Sequence, residues 1–418
     1  MPLSVAIVGA GPAGCAVAER LSRKSSAAIV DVIEKLPTPG GLIRSGVAPD
    51  RPKAKALAAA CERALGQRNV ALWGNVELGR DVTLNDLRRL YDVVVLATGL
   101  PDPRKLGVPG EDLPGVWPAG EFAGWLNGHP VSRPAPDLAK LRSVIIVGQG
   151  SVGLEIARLL AKSGAELARS ELDPEIAAAL ATITLAQIHW VGTRGPEHVK
   201  FPLAELAALK KLDAAQLHLD ADGLTEPATG SAEAKQHKKL FALLRGIAAS
   251  SRDGAKRGLR LHFNLRPLRF DGGSRGVERA IFTRPDRLGQ NLALRAELII
   301  TAIGFHGGVA NQDGLAAPGL YAAGWAASGA QGDIAAVAAA SRRIADRILA
   351  EANLSAKPGR AGLTRHLAEA GVTVVDLAGW QRIDRAERAR AVKPRPRRKL
   401  RGLNELLTAA KSPQGNLL

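Results

Sequence analysis

The sequence predicts an α/β protein with two doubly wound, parallel-sheet domains in one chain. Three observations carry this. LSVAIVGAGPAGCAVAERLSRK, starting at Leu3, reads as strand, glycine-rich turn and helix, and AIVDVIEK follows as a second strand. SVIIVGQGSVGLEIARLLAKSG, starting at Ser143, repeats the same grammar. YDVVVLATG (Tyr91 to Gly99) and AELIITAIGF (Ala296 to Phe305) are two further apolar strands that resemble each other. With 418 residues, 46% of them hydrophobic, the chain is long enough for two or three domains with sizeable cores.

Both turns have the spacing G-x-G-x-x-G. The first glycine makes the tight turn, the second lets a pyrophosphate approach the backbone, and the third packs helix against strand. In the first unit these are Gly9, Gly11 and Gly14, and Glu34 closes the next strand twenty residues after Gly14. A carboxylate there accepts hydrogen bonds from an adenosine ribose. In the second unit they are Gly148, Gly150 and Gly153. Its next strand candidate, around HWV, stops not at an acid but at the turn Thr193-Arg194-Gly195-Pro196. An acid there would repel a 2′-phosphate, whereas an arginine binds it. The first site therefore reads as FAD or NAD and the second as NADP; the plainer alternative makes Arg194 a surface arginine in a turn. Two dinucleotide sites imply two cofactors exchanging electrons. A flavin with NADPH is the economical pair, because hydride passes between them without a protein nucleophile.

The rest of the chain is read more coarsely. Residues from about Leu224 to Arg257 are polar and Lys-rich with one apolar stripe at LFALL, which predicts a surface helix with loops. GLYAAGW (Gly319 to Trp325) reads as a glycine-rich turn, followed by an Ala-rich helix from about Ile334 to Ala350. AVKPRPRRKLRG reads as a basic, Pro-interrupted extension. The two cysteines, Cys15 and Cys61, form no C-x-x-C and no metal-ligand spacing, so no metal and a reducing cytoplasm are expected. No apolar run approaches the roughly 18–20 residues of a membrane span. The first apolar segment is itself a strand, so no signal peptide is expected. A formal charge of +17 raises the question of nucleic acid. Aromatics at 4% and the lack of any helix-turn-helix, zinc-finger or RNP pattern speak against it. A solvated basic surface, or a docking face for an acidic protein, remains.

The segments GGLIRSGVAPDRPKAK, NVALWGNVELGRDVT, GVPGEDLPGVWPAGEFAGWLNGHP, VIIVGQGSVGLEIARLL, VGTRGPEHVKFPLAEL and GLYAAGW resemble the adrenodoxin reductase-like ferredoxin–NADP⁺ reductases. The likeness runs through nearly the whole chain in one order, down to a W-x₂-[LI]-D element at Trp380 and K-P-R at Lys393, and is weakest between about Leu212 and Arg295. It implies two interlocked Rossmann-like domains: a discontinuous FAD domain over residues 1–107 and 305–418, with an NADP domain, 108–304, inserted. It implies that Ala13, Glu34, Gly41, Leu42, Val76, Gly99, Trp325 and the backbone from Gly332 through Asp333 to Ile334 line FAD. Gln149, Gly150, Ser151 and Val152 match the NADP pyrophosphate loop, Arg104 matches another NADP contact, and Gly332 is shared with NADP. Glu205 matches a carboxylate on the nicotinamide side, and Asp137 an acid in the A-P-D-L segment. Glu205, Asp137 and Arg51 are thus the catalytic candidates.

The sequence departs from the family pattern in three places. Thr193-Arg194 stands where the family has two arginines, Arg51 where it has a histidine, and AASGAQGDI where it has a basic turn, with Asp333 replacing an apolar residue. The implied activity is hydride transfer from NADPH to FAD, then single electrons to an acidic [2Fe-2S]-type or other ferredoxin. Lys235, Lys238, Lys239 and Arg245 are the candidate docking cations. The alternatives are a flavin oxidoreductase with a quinone, small disulfide or O₂ as acceptor, and a redox-responsive nucleic-acid binder. The missing C-x-x-C argues against a dithiol acceptor. Neither membrane nor nucleic acid is an expected partner.

Overall fold

The computed structural model describes residues 2–100, 102–199, 201–219, 232–249, 257–285, 289–307, 315–330 and 332–412, and only the backbone of 232–236. The chain forms two compact units. One comprises Met1–Pro103, Asn127–Val131 and Gly304–Leu418, the other Arg104–Leu126 and Ser132–Ile303.

The first unit is built on a six-stranded sheet ordered Leu315–Ala317, Leu320–Ala322, Val93–Leu96, Ser4–Val8, Ile29–Glu34, Val70–Gly74. All neighbours are parallel except the first pair. Val5 and Ile7 enter one apolar cluster with Val17, Leu21 and Ile348, while Ala6 and Val8 enter another with Leu87, Tyr91 and Leu363. Alternate side chains point to opposite faces, so strands covered on both faces read as continuous apolar runs. That is why LSVAIV and YDVVVL stand out in the sequence.

The GLYAAGW segment differs from the glycine-rich turn expected of it. Leu320–Ala322 is a strand, parallel to Val93–Leu96, and Trp325 opens a short helix, Trp325–Ser328. The basic, Pro-interrupted extension is partly buried. Lys399 is 7% exposed and Leu400 2%, and Leu406, Ala409 and Ala410 of the Leu403–Lys411 helix join Trp380 and Ile383 in the core.

The second unit carries a six-stranded sheet that is parallel throughout, ordered Val116–Pro118, Leu298–Thr301, Ser143–Val147, Gln187–Val191, Arg257–His262, Ala215–Leu219. A separate antiparallel sheet, Arg266–Gly273, Gly276–Thr283 and Asn291–Arg295, supplies Phe270, Val277, Ala280 and Phe282 to a core shared with Ile145, Val147 and Ile299. The Lys-rich stretch contains the helix Ala232–Ala248, with Leu240, Phe241, Leu244 and Ile247 buried. Among the described residues no helix is long and apolar enough to cross a membrane.

Candidate functional site

In the first unit Gly9 ends the central strand with φ +110 and donates its N–H to Ile33 O at 2.7 Å. A Cβ on Gly9 would meet Ala97 O at 2.4 Å, and one on Gly14 would meet Gly9 O at 1.9 Å. Both are fixed as glycine by packing. Gly11 is different: among the described residues its Cβ would find within 4 Å only Gly41 Cα, at 3.9 Å. Gly11 N-caps the Pro12–Lys24 helix, which has no side-chain cap and no acid in its first turn. The result is a helix N-terminus with bare backbone at its mouth, as a pyrophosphate requires.

The second unit repeats this atom by atom. Gly148, φ +120, donates to Val191 O at 2.8 Å, and its Cβ would meet Ala302 O at 2.2 Å. A Cβ on Gly153 would lie 2.3 Å from Gly148 O and 3.0 Å from Trp190 Nε1. One on Gly150 would meet nothing within 4 Å among the described residues. Gly150 caps the Ser151–Ala161 helix, again without a side-chain cap or a first-turn acid. Ala97 and Ala302 occupy equivalent places beside the first glycine, which explains why YDVVVLATG and AELIITAIGF look alike.

Glu34 distinguishes the first site. It is 8% exposed, and its carboxylate accepts from Ala10 N (2.8 Å) and Leu36 N (3.1 Å). Burial pushes its pKa up, against the two backbone donors that favour the anion. Gly40 N–H donates to Ala10 O at 2.8 Å, and a Cβ on Gly41 would lie 2.9 Å from Gly11 Cα. A Cβ on Gly324, next to Trp325, would lie 2.5 Å from Ala13 Cβ, and Ile334 packs on Cys15, Ile43 and Cys61. Residues 9–14, Glu34, Gly41, Gly324 and Ile334 are thereby gathered around one turn. Leu42 is 44% exposed beside it, whereas the Val76 side chain is buried in the apolar core and its N–H donates to Glu34 O. Gly99 (φ +71) and Gly332 (φ +80) both use the left-handed region. Trp325 stacks near Phe305, with ring centroids 5.9 Å apart. Asp333 caps the Ile334–Glu351 helix, its Oδ1 accepting from Ala336 N at 2.8 Å. Arg51 is half-buried, just before the Pro52–Lys55 helix.

In the second unit Thr193 is half-buried and Arg194 exposed, one turn past the Gln187–Val191 strand. Asn264 N–H donates to Arg194 O at 3.2 Å, which fixes the turn. Gln149 turns its side chain back to His262 O (3.0 Å) and Trp190 O (3.4 Å), so its backbone, not its amide, faces outward. Glu205 sits on the Leu203–Leu209 helix, 4.0 Å from the Arg158 guanidinium, with 17% of its side chain exposed. Asp137 and Arg104 are exposed, and Asp137 pairs with Lys140 at 2.7 Å, which lowers its pKa. Lys238, Lys239 and Arg245 line the exposed side of the Ala232–Ala248 helix; the Lys235 side chain lies outside the described residues.

Two residues at these turns escaped the sequence reading. Trp190 donates its indole N–H to Gly148 O at 3.0 Å and so holds the second turn shut. It lies in the HWVGTRG stretch already singled out, and a large aromatic there was the available signal. Thr38, 2% exposed in the loop after Glu34, has a hydroxyl without a partner among the described residues. Only the fold reveals that burial.

Residues 3–188 match the family model described as pyridine nucleotide-disulphide oxidoreductase. The chain is similar to the mitochondrial NADPH:adrenodoxin oxidoreductase of Arabidopsis thaliana, at 32% identity over 98% of this chain and 95% of the relative. It is similar to the human protein of that name, at 33% identity over 96% and 91%. The Mycobacterium tuberculosis NADPH-ferredoxin reductase FprA is 32% identical over 97% and 98%. The solved structure of FprA in complex with NADPH matches with a TM-score of 0.91 over 99% of this chain and 100% of that one. Relatives at this identity along almost the full length, on the same two-unit fold, place the chain in the adrenodoxin reductase-like ferredoxin–NADP⁺ reductase family.

Proposed function

We propose that this chain is an FAD-dependent ferredoxin–NADP⁺ reductase: NADPH is the electron donor and an iron–sulfur ferredoxin the acceptor. The carrying observation is the pair of matched glycine turns, each with packed first and third glycines and an open second one. FAD is assigned to the first unit, by Glu34 and the approach of Gly324 and Ile334 to its glycine turn, and NADP(H) to the second, by Thr193-Arg194. FAD supplies the chemistry by accepting a hydride equivalent and releasing electrons singly.

The residues bind, orient and tune. Gly11 and the N–H groups beyond it hold one pyrophosphate; Glu34 accepts from the adenosine ribose. Gly150, Ser151 and Val152 hold the second pyrophosphate, and Arg194 with Thr193 grips the 2′-phosphate. Glu205, beside Arg158, orients the nicotinamide. Asp137 and Arg51 complete the candidate catalytic set, Arg51 as a permanent cation where the family has a titratable histidine. The docking face is Lys238, Lys239 and Arg245, and suits an acidic [2Fe-2S] ferredoxin by charge complementarity. Two free thiols, Cys15 and Cys61, suit a reducing cytoplasm.

The direct test is flavin content with coenzyme-dependent ferricyanide reduction. One FAD per chain and preference for NADPH are expected; a protein binding FMN, or preferring NADH, would overturn the assignment of the sites.

A further inference from the structure

The Gly41–Ser45 helix presents Gly41 and Leu42 beside the first glycine turn, yet it is only five residues long. A helix of that length has no stability of its own, so its place is set by what holds it. Its N-terminal end is set by close packing: Gly40 (φ +105) and Gly41 (φ +47) leave no room for a Cβ between Gly41 and Gly11.

The opposite end is held by charge. Arg44 O, a last-turn carbonyl, accepts from Lys55 Nζ at 2.8 Å and from Lys399 Nζ at 2.7 Å, which uses both of its lone pairs. The same two ammoniums reach Asn127, Lys55 at its Oδ1 (2.7 Å) and Lys399 at its carbonyl (3.1 Å). Both lysines are 7% exposed. The Arg44 side chain forms a two-pronged pair with Glu387, which is fully buried, and lies over the Trp380 ring at 5.2 Å. Glu387 also accepts from Arg397 (3.2 Å) and from Leu400 N (3.1 Å), binding the tail to the same point.

Burying an ammonium is costly unless it is hydrogen-bonded, and these two place their bonds on one helix end and on Asn127, in the turn that follows the Ala119–Leu126 helix. We infer that Lys399, with Lys55 beside it, is a positioning residue for the flavin site. It anchors the Gly41–Ser45 helix against the pyrophosphate turn, so the basic C-terminal segment is an internal latch of that site. The inference rests on the FAD reading of the first unit.

The test compares the holoenzyme with Lys399→Met, Lys55→Met, the double variant and Lys399→Arg. FAD affinity is read from the fluorescence of released flavin, and the NADPH KM at saturating FAD. Each methionine variant is expected to bind FAD about tenfold more weakly, the scale of one charge-assisted hydrogen bond. The double variant should lose more than the product of the two, because the Arg44 carbonyl then keeps neither ammonium. Lys399→Arg should recover most of the affinity, and the NADPH KM should stay within about twofold of wild type, since only the coenzyme-independent FAD site is disturbed. If Lys399→Met does not fold, Lys399→Gln, which keeps a donor, carries the same comparison. Unchanged FAD affinity in the double variant would overturn the latch. A wild type without FAD would instead overturn the cofactor assignment. The latch would then still be read in the apoprotein, as faster amide exchange of Gly46 and Val47, which donate to Leu42 O.

Discussion

Alanine at Gly150 and at Gly153 should separate binding from folding. At Gly153 the new methyl would sit 2.3 Å from Gly148 O and 3.0 Å from the Trp190 nitrogen, so the turn must shift and the Trp190–Gly148 hydrogen bond must lengthen. Overpacking of this kind, with one buried bond weakened, costs about 2–4 kcal/mol. For a unit of this size that lowers Tm by roughly 4–16 °C, at about 2–4 °C per kcal/mol. At Gly150 the methyl meets nothing, and φ −101 with ψ −179 is open to alanine. Loss of a good N-cap residue costs some tenths of a kcal/mol, and the stiffer unfolded chain returns about 0.4–1 kcal/mol, so Tm should barely move. The same methyl stands where a pyrophosphate would approach. Losing one charge-assisted backbone bond, about 1.5–3 kcal/mol, weakens NADPH about ten- to hundredfold. Thermal melts with and without NADPH, and calorimetric titration of each variant, read both effects. A Gly150→Ala protein that binds NADPH like wild type would refute the placement of the phosphate.

Arg194→Ala should leave NADH and NADPH nearly equal in kcat/KM and Thr193→Arg should sharpen NADPH preference, both read by steady-state ferricyanide reduction. Asp333→Asn keeps a capping oxygen but drops the charge, and should raise the flavin midpoint potential with little change in Tm. Asp333→Ala should raise it similarly and also cost about 1 kcal/mol of stability; potentiometry with thermal melts checks both. His189 and His262, whose Nδ1 and Nε2 lie 3.0 Å apart, should make the protein acid-sensitive. Burial, then Arg260, pushes His189 down to about 4; burial, then His189, Arg260 and Arg284, pushes His262 down to about 3. The unfolded histidines take up protons below about pH 6.5 while the folded ones stay neutral, so stability falls between about pH 6.5 and 4, approaching about 1.4 kcal/mol per pH unit for each. Thermal melts across that range should show His262→Gln with a shallower slope than wild type.

What could be read in the sequence was whatever lies within one strand–turn–helix unit. The spacing of Gly9, Gly11 and Gly14 is local, and so is the 1.9 Å approach of a Gly14 Cβ to Gly9 O, whereas Gly9 is also fixed by Ala97 from another strand. The pairing of Ala97 with Gly9, and of Ala302 with Gly148, was visible as a repeated strand, though not what it repeats for. Interactions joined across tens to hundreds of positions were not legible. Asp31 sits fully buried in a strand of IVDVIE, satisfied by Trp73 (2.9 Å), Tyr91 (2.9 Å) and Arg360 (2.7 Å), partners that no spacing announces. The tail AVKPRPRRKLRG reads only as a basic, Pro-interrupted extension. Its burial depends on Glu387 and Arg44, which the fold alone brings to it. Asp333 looked like a loss of basic character beside the flavin; it is also a helix cap, which the position before Ile334 could have signalled.

The most direct test of the function is anaerobic titration of the purified protein with NADPH, followed by oxidised ferredoxin, in the visible spectrum. Bound flavin absorbance should bleach with about one equivalent of NADPH, a two-electron donor, and return as ferredoxin is reduced in single-electron steps. A flavin that NADPH bleaches but ferredoxin cannot reoxidise, while a quinone can, would contradict it.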